Sequence, residues 1–313
     1  MWRFILRRLS VSAALVLLIS FLTFLLQAAT PGDTARTALG YNYTPAAYRL
    51  LRHRLGLDQP VLVQYARWLG HAVRGDLSVS PISGLNVAAE IVKRLPVTFS
   101  LVIVATALTA LVGIGLGVLS AVRGRWVART VDVLSLSGYA LPNFWLALVL
   151  VTVFAVLVPV LPATGYVSPA VSPIGWAECL VLPVVTLALQ GVAVFARHTR
   201  DSMRDVLARD FVSVLRANGV AERSIVFRHA LRNAAIPAVT VTGLTFIGLL
   251  SGTVFIETIF AMPGLGGLAV QATTTHDLPA VQGVVIVFTL VVVLVNLLVD
   301  LAYGWLNPKV RLS

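Results

Sequence analysis

The chain has 313 residues, of which 58% are hydrophobic and only 12% are charged, and its formal net charge is +11. Soluble domains carry roughly a quarter charged residues, so this composition predicts an integral membrane protein rather than a soluble enzyme. All but two of the 24 basic side chains are arginines that lie between or beside apolar runs. That distribution is typical of charges that set membrane topology, and it disfavours nucleic-acid binding.

Six apolar runs are each close to the ~20 residues that a helix needs to cross the hydrocarbon core of a bilayer. They lie at 9–29, 97–121, 131–156, 178–197, 236–257 and 281–306. The first run follows a basic start that includes Arg3, Arg7 and Arg8, and it exceeds the apolar core of about 7–15 residues in a signal peptide. We therefore expect an uncleaved first helix and an all-α integral membrane protein with six transmembrane helices.

The distribution of basic residues among the short loops predicts the orientation. Residues 122–130 hold three arginines and no acid, and residues 198–235 hold seven arginines against four acids. Residues 164–176 and 258–280 hold no lysine or arginine. Because positively charged short loops stay in the cytoplasm, we expect both termini and residues 198–235 to be cytoplasmic.

The long segment 30–95 is then external, since long loops translocate largely regardless of their charge. Pro45 opens one predicted short helix, Gly56 closes it, and Pro60 opens the next. An apolar face recurs at helical spacing in the second of these helices. It consists of Leu62, Tyr65, Trp68 and Leu69. Such a face is expected in a cap on the outer membrane surface or, alternatively, in a docking platform for an external partner.

The sequence contains no recognisable catalytic or nucleotide-binding constellation. The two lysines, Lys93 and Lys309, do not follow a glycine-rich loop, so a phosphate-binding P-loop is excluded. The five histidines lack metal-ligand spacing, and the single Cys179 excludes an internal disulfide or a multi-thiolate centre. We expect a chain that is not an enzyme, binds no cofactor and holds no metal.

Two pairs of glycines inside the predicted spans indicate close helix packing. Gly113 and Gly117, and again Gly248 and Gly252, have the four-residue spacing that lets helix backbones approach each other. The Gly113–Gly117 stretch only faintly resembles a dinucleotide-binding fingerprint, and its place within a membrane span favours packing.

Polar residues inside the spans indicate either a path or interhelical hydrogen bonds. Asn143, Gln190 and Asn296 are costly in lipid, so each should face protein or a water-filled passage. We take these three as candidates for a translocation path, with interhelical hydrogen bonding as the alternative for each. Pro142 is expected to kink the third span.

The loop between the fourth and fifth runs has its own helical pattern. An apolar stripe precedes a predicted helix stop at Asn218–Gly219. The stripe consists of Met203, Leu207, Phe211 and Leu215. A second short helix is expected from about Glu222 to Leu231, and Pro237 marks the start of the fifth span. A helix, a glycine and a short helix at the inner face favour binding of a cytoplasmic protein. Attachment to anionic lipid is the alternative.

The stretch 217–237 resembles the cytoplasmic loop of ABC-importer permeases, in the form found in the first, or B-type, permease subunit of the dipeptide/oligopeptide/nickel family. Gly219 stands at the family's glycine, and the family's His-Ala-Leu-Arg-Asn-x-x-x-Pro pattern follows. The matching residues are His229, Leu231, Arg232, Asn233 and Pro237. Ser213–Leu215 departs from the general Glu-Ala-Ala triplet. The resemblance continues along nearly the whole chain, at 55–78, 94–101, 182–189, 257–268 and 297–311.

This resemblance implies a type I ABC-importer permease fold in a prokaryotic inner membrane. Residues 1–96 would form the first transmembrane helix and an external helical segment, and 97–313 a five-helix core with the coupling loop 198–235. The implied partners are a second, homologous permease subunit, two cytoplasmic ATPase subunits that bind ATP with Mg²⁺, and an extracytoplasmic substrate-binding protein. The residues expected to couple to the ATPase are Arg216, Gly219, Val220, Ala221, Glu222, Arg223, Ile225, Phe227, Arg228, His229 and Arg232.

The family handles dipeptides, oligopeptides, nickel chelates, glutathione and some oligosaccharides. A nickel path would use histidine or methionine, and the predicted spans offer almost none except His198 at a cytoplasmic edge. Di- or oligopeptides are therefore the expected substrates, with the other members of that range as alternatives. An autonomous channel or ion-coupled carrier is the alternative of a different class, and it would support flux without partners.

Overall fold

The computed structural model describes the backbone of residues 2–306 and most of their side chains. The side chains outside that description are those of residues 2–7, 9, 125, 127, 134–136, 139, 235–237, 239 and 303–306. The predicted cytoplasmic residues Arg3, Arg7 and Lys309 therefore lie outside the residues whose side chains are described.

The described chain is built of helices. They are α1 (Trp2–Ala29), α2 (Thr34–Leu39), α3 (Pro45–Arg54), α4 (Val61–Ala72), α5 (Val87–Val122), α6 (Arg125–Ala140), α7 (Asn143–Val151), α8 (Pro173–Leu207), α9 (Asp210–Ala217), α10 (Glu222–Ser224), α11 (Leu231–Ile259), α12 (Leu265–Thr274) and α13 (Leu278–Leu306). A 3₁₀ turn at Gly40–Asn42 follows α2. Two π-helical turns occur: Thr152–Leu157 continues α7, and Ile225–Ala230 joins α10 to α11.

Five segments in the described part of the chain are long and apolar enough to cross a membrane. They are Ser10–Ala29, Val87–Val122, Pro173–Leu207, Thr240–Ile259 and Leu278–Ala302. Each overlaps one of the six predicted runs. The protein is therefore a helical, multi-pass membrane protein.

The third predicted run, 131–156, is not one continuous helix. α6 ends at Ala140, Leu141 and Pro142 have extended backbones with ψ of 128° and 133°, and α7 begins at Asn143. We predicted that Pro142 would only kink this span. Instead, one helix ends before the proline and another begins after it. Proline lacks a donor N–H, and its ring disfavours the helical conformation of the residue before it. The apolar helix that remains, Asn143–Leu157, is shorter than the other spans.

Two helices extend well beyond the predicted spans. α5 begins at Val87, ten residues before the predicted start, and continues through Pro96, and α8 continues to Leu207. At 1.5 Å per residue a helix of 35 or 36 residues is about 53 Å long, whereas the hydrocarbon core is about 30 Å thick. Each helix is therefore longer than one crossing requires, and α8 includes residues that we predicted to lie in the loop.

The chain forms two compact units, which we describe separately. Residues 1–98 and 263–294 form the first unit, and residues 99–262 and 295–313 form the second. In the first unit, α1 packs on the short helix α4 through an aromatic cluster of Phe21, Phe24, Tyr65 and Trp68, whose ring centroids lie 5.1–6.5 Å apart.

As the sequence predicts, α3 begins at Pro45 and ends just before Gly56, and α4 begins just after Pro60. The Thr44 hydroxyl accepts from Ala47 N–H ahead of Pro45, and Gly56 closes the turn with φ of 68°. Trp68 is buried, which confirms the apolar face in part, whereas Leu62 is 65% exposed. The apolar spacing predicted this helix correctly, but it could not predict how many of the apolar residues α1 covers.

The second unit is organised around α8, which packs along α6, α7 and α11. The predicted close approach at Gly113 and Gly117 is confirmed on α5. A Cβ on Gly113 would lie 2.3 Å from Phe195 Cβ, and one on Gly117 would lie 2.7 Å from the Ala196 carbonyl oxygen. Only hydrogen fits at these two positions, so the glycines set the distance between α5 and α8.

Candidate functional site

The predicted helix stop at Asn218–Gly219 is confirmed. Gly219 has a φ of 74°, in the left-handed region. Its N–H donates to the Arg216 carbonyl at 3.0 Å, and the Val220 N–H donates to the Leu215 carbonyl at 3.1 Å. This pair of bonds is the Schellman arrangement, which satisfies the last carbonyls of α9 and reverses the chain.

The apolar stripe before that stop is divided between two helices. Met203 and Leu207 lie on α8, but the chain leaves the helix at residues 208–209, and Arg209 has an extended backbone with ψ of 150°. This break shifts the helical phase, so Val212 is buried on α9 while Phe211 is 37% exposed. The prediction of one stripe over 203–215 was therefore wrong at Phe211, whereas Leu215 is half-buried.

The segment after Gly219 has one buried and one exposed side. Ile225 and Val226 are buried, and Val226 packs in a cluster with Met203 and Val206 of α8. The exposed residues form what we call the loop face. They are Ala221, Glu222, Arg223, Phe227, Arg228 and Arg232. Among the predicted coupling residues, Ile225 therefore anchors the segment, and Val220 and His229 are half-buried at the edge of the face.

The segment after Gly219 is continuous with the fifth span. α10, the π-helical turn and α11 follow one another from Glu222 to Ile259, and the helical backbone passes through residue 237. We expected Pro237 to mark the start of the fifth span. The apolar span Thr240–Ile259 begins just after it, but the helix α11 already begins at Leu231, so no helix boundary lies at residue 237.

An ion pair closes the Gly219 turn. The Arg216 guanidinium donates from Nη2 to Glu222 Oε1 at 2.6 Å and from Nε to Oε2 at 3.1 Å. This bidentate geometry is the most favourable for an arginine and a carboxylate. It raises the pKa of Arg216, and its hydrogen bonds lower the pKa of the Glu222 carboxyl below its ordinary value of 4.5.

We expect Arg216→Gln to return the pKa of Glu222 towards 4.5. A lowered carboxyl pKa means that the pair is complete above pH 4.5 and is lost only as pH falls through the lower value of the folded protein. Because both side chains are exposed, global stability should change little. A carboxyl titration by isotope-edited infrared spectroscopy measures the shift, with Arg209→Gln as the matched control. An unchanged Glu222 titration in Arg216→Gln would contradict the pairing.

A groove in the second unit lies between α8, α11 and the first residue of α7. Its volume is about 700 Å³. The described lining residues are Asn143, Leu187, Gln190, Gly191, Val194, His198, Thr240, Val241, Leu244, Thr245, Gly248, Leu249 and Gly252. This volume falls within the roughly 300–1,000 Å³ of pockets that accept small ligands.

Two of the three predicted path residues meet in this groove. Asn143 is the first residue of α7, and Gln190 Nε2 donates to the Leu141 carbonyl at 3.3 Å. Gln190 therefore binds a carbonyl that the break between α6 and α7 leaves without a partner in its own helix. Asn296 is exposed on α13 and is not among the described lining residues.

Among the groove residues of α11, the sequence singled out Gly248 and Gly252 for close packing but not Thr240, Leu244 or Thr245. Thr240, Leu244 and Gly248 follow at four-residue intervals, and this helical spacing could have indicated a shared face. The two glycines of α11 differ in role. A Cβ on Gly252 would lie 2.9 Å from Leu187 Cδ1, whereas a Cβ on Gly248 would meet open space in the groove. Close packing is therefore observed at Gly252 and not at Gly248.

The described wall of the groove carries no fixed charge. None of its lining residues is Asp, Glu, Lys or Arg, and His198 is the one ionisable side chain among them. Within the described residues, no three His, Cys, Asp or Glu side chains are grouped so as to hold a metal ion. Its polar groups are hydroxyls and carboxamides, which donate and accept hydrogen bonds without net charge.

Two family models and several full-length relatives match this chain. A family model described as a binding-protein-dependent transport system inner membrane component matches residues 113–312, and a model of the N-terminal part of such components matches residues 1–102. A Brucella abortus protein that bears the name of a peptide transport system permease is 41% identical over 308 residues, 98% of each chain. The glutathione transport system permease protein GsiC of Escherichia coli is 38% identical over 312 residues, 99% of each chain.

One solved structure shares the fold at low sequence identity. A chain of the inward-facing MetNI methionine ABC transporter superposes with a TM-score of 0.55 at 19% identity, covering 69% of this chain and 96% of that chain. This likeness identifies the helical core as an ABC-importer permease fold. With two family models spanning almost all of its length, the chain belongs to the inner-membrane permease subunits of binding-protein-dependent ABC import systems.

Proposed function

We propose that this permease subunit serves an importer of di- or oligopeptides. The observation that carries the proposal is the 41% identity over 98% of both chains with the relative that is named a peptide transport system permease. Similarity that extends over external segments, spans and loops favours a shared transport role more strongly than similarity of the core alone.

We propose six membrane crossings with both termini in the cytoplasm. The five long apolar segments supply five crossings, and α6 with α7 supplies the remaining one as a discontinuous span. Discontinuous helices occur in transporters where they line a cavity, and here α7 begins at the groove. Residues 198–235, rich in arginine, are then cytoplasmic, and 30–95 are external. We also propose that the chain divides into an N-terminal part, 1–96, and a core, 97–313.

The loop face is the proposed contact with the ATPase subunits, which bind ATP with Mg²⁺. Phe227 is 57% exposed, and the exposed residues Arg223 and Arg228 lie four positions before it and one position after it in the chain. An exposed aromatic flanked by arginines is typical of the centre of a protein interface. Ile225 and Val226 hold the segment on α8, so motion of the ATPase is transmitted to α8 and α11 together.

The groove is the proposed contribution of this chain to the translocation path. A second, homologous permease subunit would enclose it, and an extracytoplasmic binding protein would deliver substrate from the other side. Asn143, Thr240 and Thr245 supply polar groups along an otherwise apolar wall. Such a wall lets a polar substrate pass without a single tight binding site.

We expect Arg223→Glu combined with Phe227→Ala to reduce ATP-driven dipeptide uptake at least tenfold, while the chain still inserts and assembles with the second permease. The change reverses one charge and removes the exposed ring, and a hot-spot aromatic alone typically contributes 2 kcal/mol or more to an interface. Uptake and ATP hydrolysis are measured in proteoliposomes that contain the complete complex and its binding protein.

The matched control for this double variant is Val214→Ala, which truncates a side chain of α9 that is 57% exposed in the same loop. Uptake should persist in the control. Wild-type uptake in both variants would contradict the role of the loop face. Flux through the purified chain alone would contradict an ATP-driven permease and favour an autonomous channel or carrier.

Glutathione is the second candidate substrate, because GsiC is 38% identical over 99% of both chains. It is itself a small peptide, so the same groove would accommodate it. Competition between labelled glutathione and unlabelled alanyl-alanine in the complete complex separates the two: the true substrate is the one that saturates uptake at the lower concentration.

A further inference from the structure

A second cavity, in the first unit, lies where two membrane-spanning helices end. Its volume is about 260 Å³. Phe24 contributes to its wall from the last part of the apolar span of α1, and Leu278 and Pro279 contribute as the first residues of the span in α13. The rest of the wall comes from the short segment between α1 and α5, mainly from the turn after α3 and from α4.

Helix α4 lies alongside the span of α1 rather than beyond its end. The Tyr65 hydroxyl lies 2.9 Å from Ser20 Oγ and donates to the Leu17 carbonyl at 3.2 Å, and the Phe24 ring packs against Tyr65 and Trp68. All three of these α1 residues belong to its apolar span. The cavity is therefore at the depth where hydrocarbon meets lipid headgroups, which is also the depth at which Tyr and Trp are enriched in membrane proteins.

The polar side of this cavity is positively charged. Arg54 and Arg67 are exposed in its wall, and neither forms an ion pair within the described residues. The Arg67 guanidinium is held in place, because its Nη2 donates to Gln59 Oε1 at 2.6 Å and its Nη1 lies 2.6 Å from the position of a Cβ on Gly56. Gln59 is uncharged, so this bond positions the guanidinium without neutralising it.

The acids of the two adjoining turns are paired with histidines. Asp58 Oδ2 lies 2.8 Å from His53 Nδ1, and Asp76 Oδ2 lies 3.3 Å from His71 Nδ1. His71 lines the cavity, and none of the described lining residues is Asp or Glu. The two arginines therefore face a cavity whose described wall supplies no counter-ion.

Apolar side chains that the described part of the chain leaves uncovered lie on α4 and on the residue after it. Leu62 is 65% exposed, Val63 is 46% exposed and Val73 is 79% exposed. A phospholipid matches this combination, since its acyl chains would cover apolar side chains while its phosphate meets the positive charge. A water-soluble anion would neutralise the arginines but would leave these apolar side chains in water.

We propose that this cavity binds the headgroup of an anionic phospholipid, with Arg54 and Arg67 as ligands of the phosphate and the acyl chains beside the exposed apolar residues of α4. Arginine suits this role because its planar fork of N–H groups matches the geometry of phosphate oxygens. The bound lipid fixes α3 and α4 to the membrane surface. Of the two roles that the sequence allows for this segment, the cap on the membrane is thereby favoured over the docking platform.

The test uses the complete complex in nanodiscs of phosphatidylcholine that contain a trace of phosphatidylglycerol with a photoreactive headgroup. After irradiation, peptide mass spectrometry measures the labelling of residues 54–79, which include most of the wall. We expect unlabelled phosphatidylglycerol to compete for this labelling, whereas inorganic phosphate should not. Arg54→Gln combined with Arg67→Gln should reduce the labelling by about tenfold or more, because each arginine near the membrane surface contributes roughly fivefold to binding of anionic lipid.

Two further variants separate the loss of the site from damage to the fold. Arg49→Gln combined with Arg74→Gln is the matched control, since it removes two exposed arginines of the same segment that do not line the cavity. Its labelling should stay within twofold of the wild type. Arg54→Gln alone removes a side chain that has no ion-pair partner among the described residues, so the fold is preserved, and labelling should fall roughly fivefold.

Three results would overturn the proposal. Labelling within twofold of the wild type in both Arg54→Gln and the double glutamine variant would show that the arginines bind no lipid. Competition by inorganic phosphate as effective as that by phosphatidylglycerol would assign the cavity to a water-soluble anion. Labelling that is lost on addition of the purified binding protein, but is unaffected by unlabelled phosphatidylglycerol, would assign it to an acidic protein partner.

Discussion

Gly219→Pro is expected to abolish coupled transport while leaving membrane insertion intact. The left-handed φ of 74° is inaccessible to proline, whose φ is fixed near −65°. The substitution also removes the N–H that donates to the Arg216 carbonyl, so the reversal after α9 cannot form. The loop face would then lose its position relative to α8. ATP-driven dipeptide uptake in the reconstituted complex should fall at least tenfold.

A graded series at the same position isolates the backbone conformation as the cause. Open space surrounds the position of a Cβ on Gly219, so only the left-handed φ opposes a larger residue. Asparagine tolerates this conformation and should retain most uptake, whereas alanine should be intermediate, at a cost of roughly 1–2 kcal/mol. Equal uptake in the asparagine and proline variants would contradict the assignment of Gly219 as the helix stop.

Gly117→Val is expected to disrupt the second unit itself rather than its coupling. A Cβ at this position would lie 2.5 Å from Thr199 Cβ and 2.7 Å from the Ala196 carbonyl oxygen, and a backbone atom cannot move aside as a flexible side chain can. Overpacking typically costs 1–3 kcal/mol, and more where backbone must shift. We expect several degrees of loss in the midpoint of thermal unfolding in detergent, measured by intrinsic fluorescence, together with loss of uptake.

Gly115→Val is the matched control, since it lies on the same helix between the two packed glycines. A Cβ on Gly115 would meet open space within 4 Å, so valine should be accommodated there. Gly113→Val, whose Cβ would meet Phe195 Cβ at 2.3 Å, should resemble Gly117→Val. A similar thermal midpoint for all three variants would show that α5 and α8 are not held at the distance seen in the structure.

The sequence predicted the features that depend on local chemistry. Apolar runs of sufficient length located the spans, and Asn218–Gly219 located the end of α9, because few residue types adopt a left-handed φ. The glycine spacing in α5 predicted a close contact, although it could not name α8 as the partner. Pattern and residue type decide such features before any tertiary contact forms.

Features that depend on packing were not predictable from the pattern. Ile225 and Phe227 are both apolar and two residues apart, yet one is buried and the other is 57% exposed. Which of them faces the protein depends on α8, whose cluster around Met203 receives Val226. Likewise, the sequence allowed Pro142 either to kink the span or to end it. The structure shows a full break, and the Gln190 carboxamide of α8 donates a hydrogen bond to the Leu141 carbonyl at that break.

The π-helical turn at Ile225–Ala230 has a geometric consequence for the loop face. An α-helix advances 100° per residue, whereas a π turn accommodates one extra residue in a single turn. The direction in which Phe227 projects is therefore offset from the direction that an unbroken α-helix would give it relative to α11. The turn sets the rotational phase between the loop face, which we propose contacts the ATPase, and the residues of α11 that line the groove. A single extra residue in this turn thus changes the direction of the loop face relative to α11.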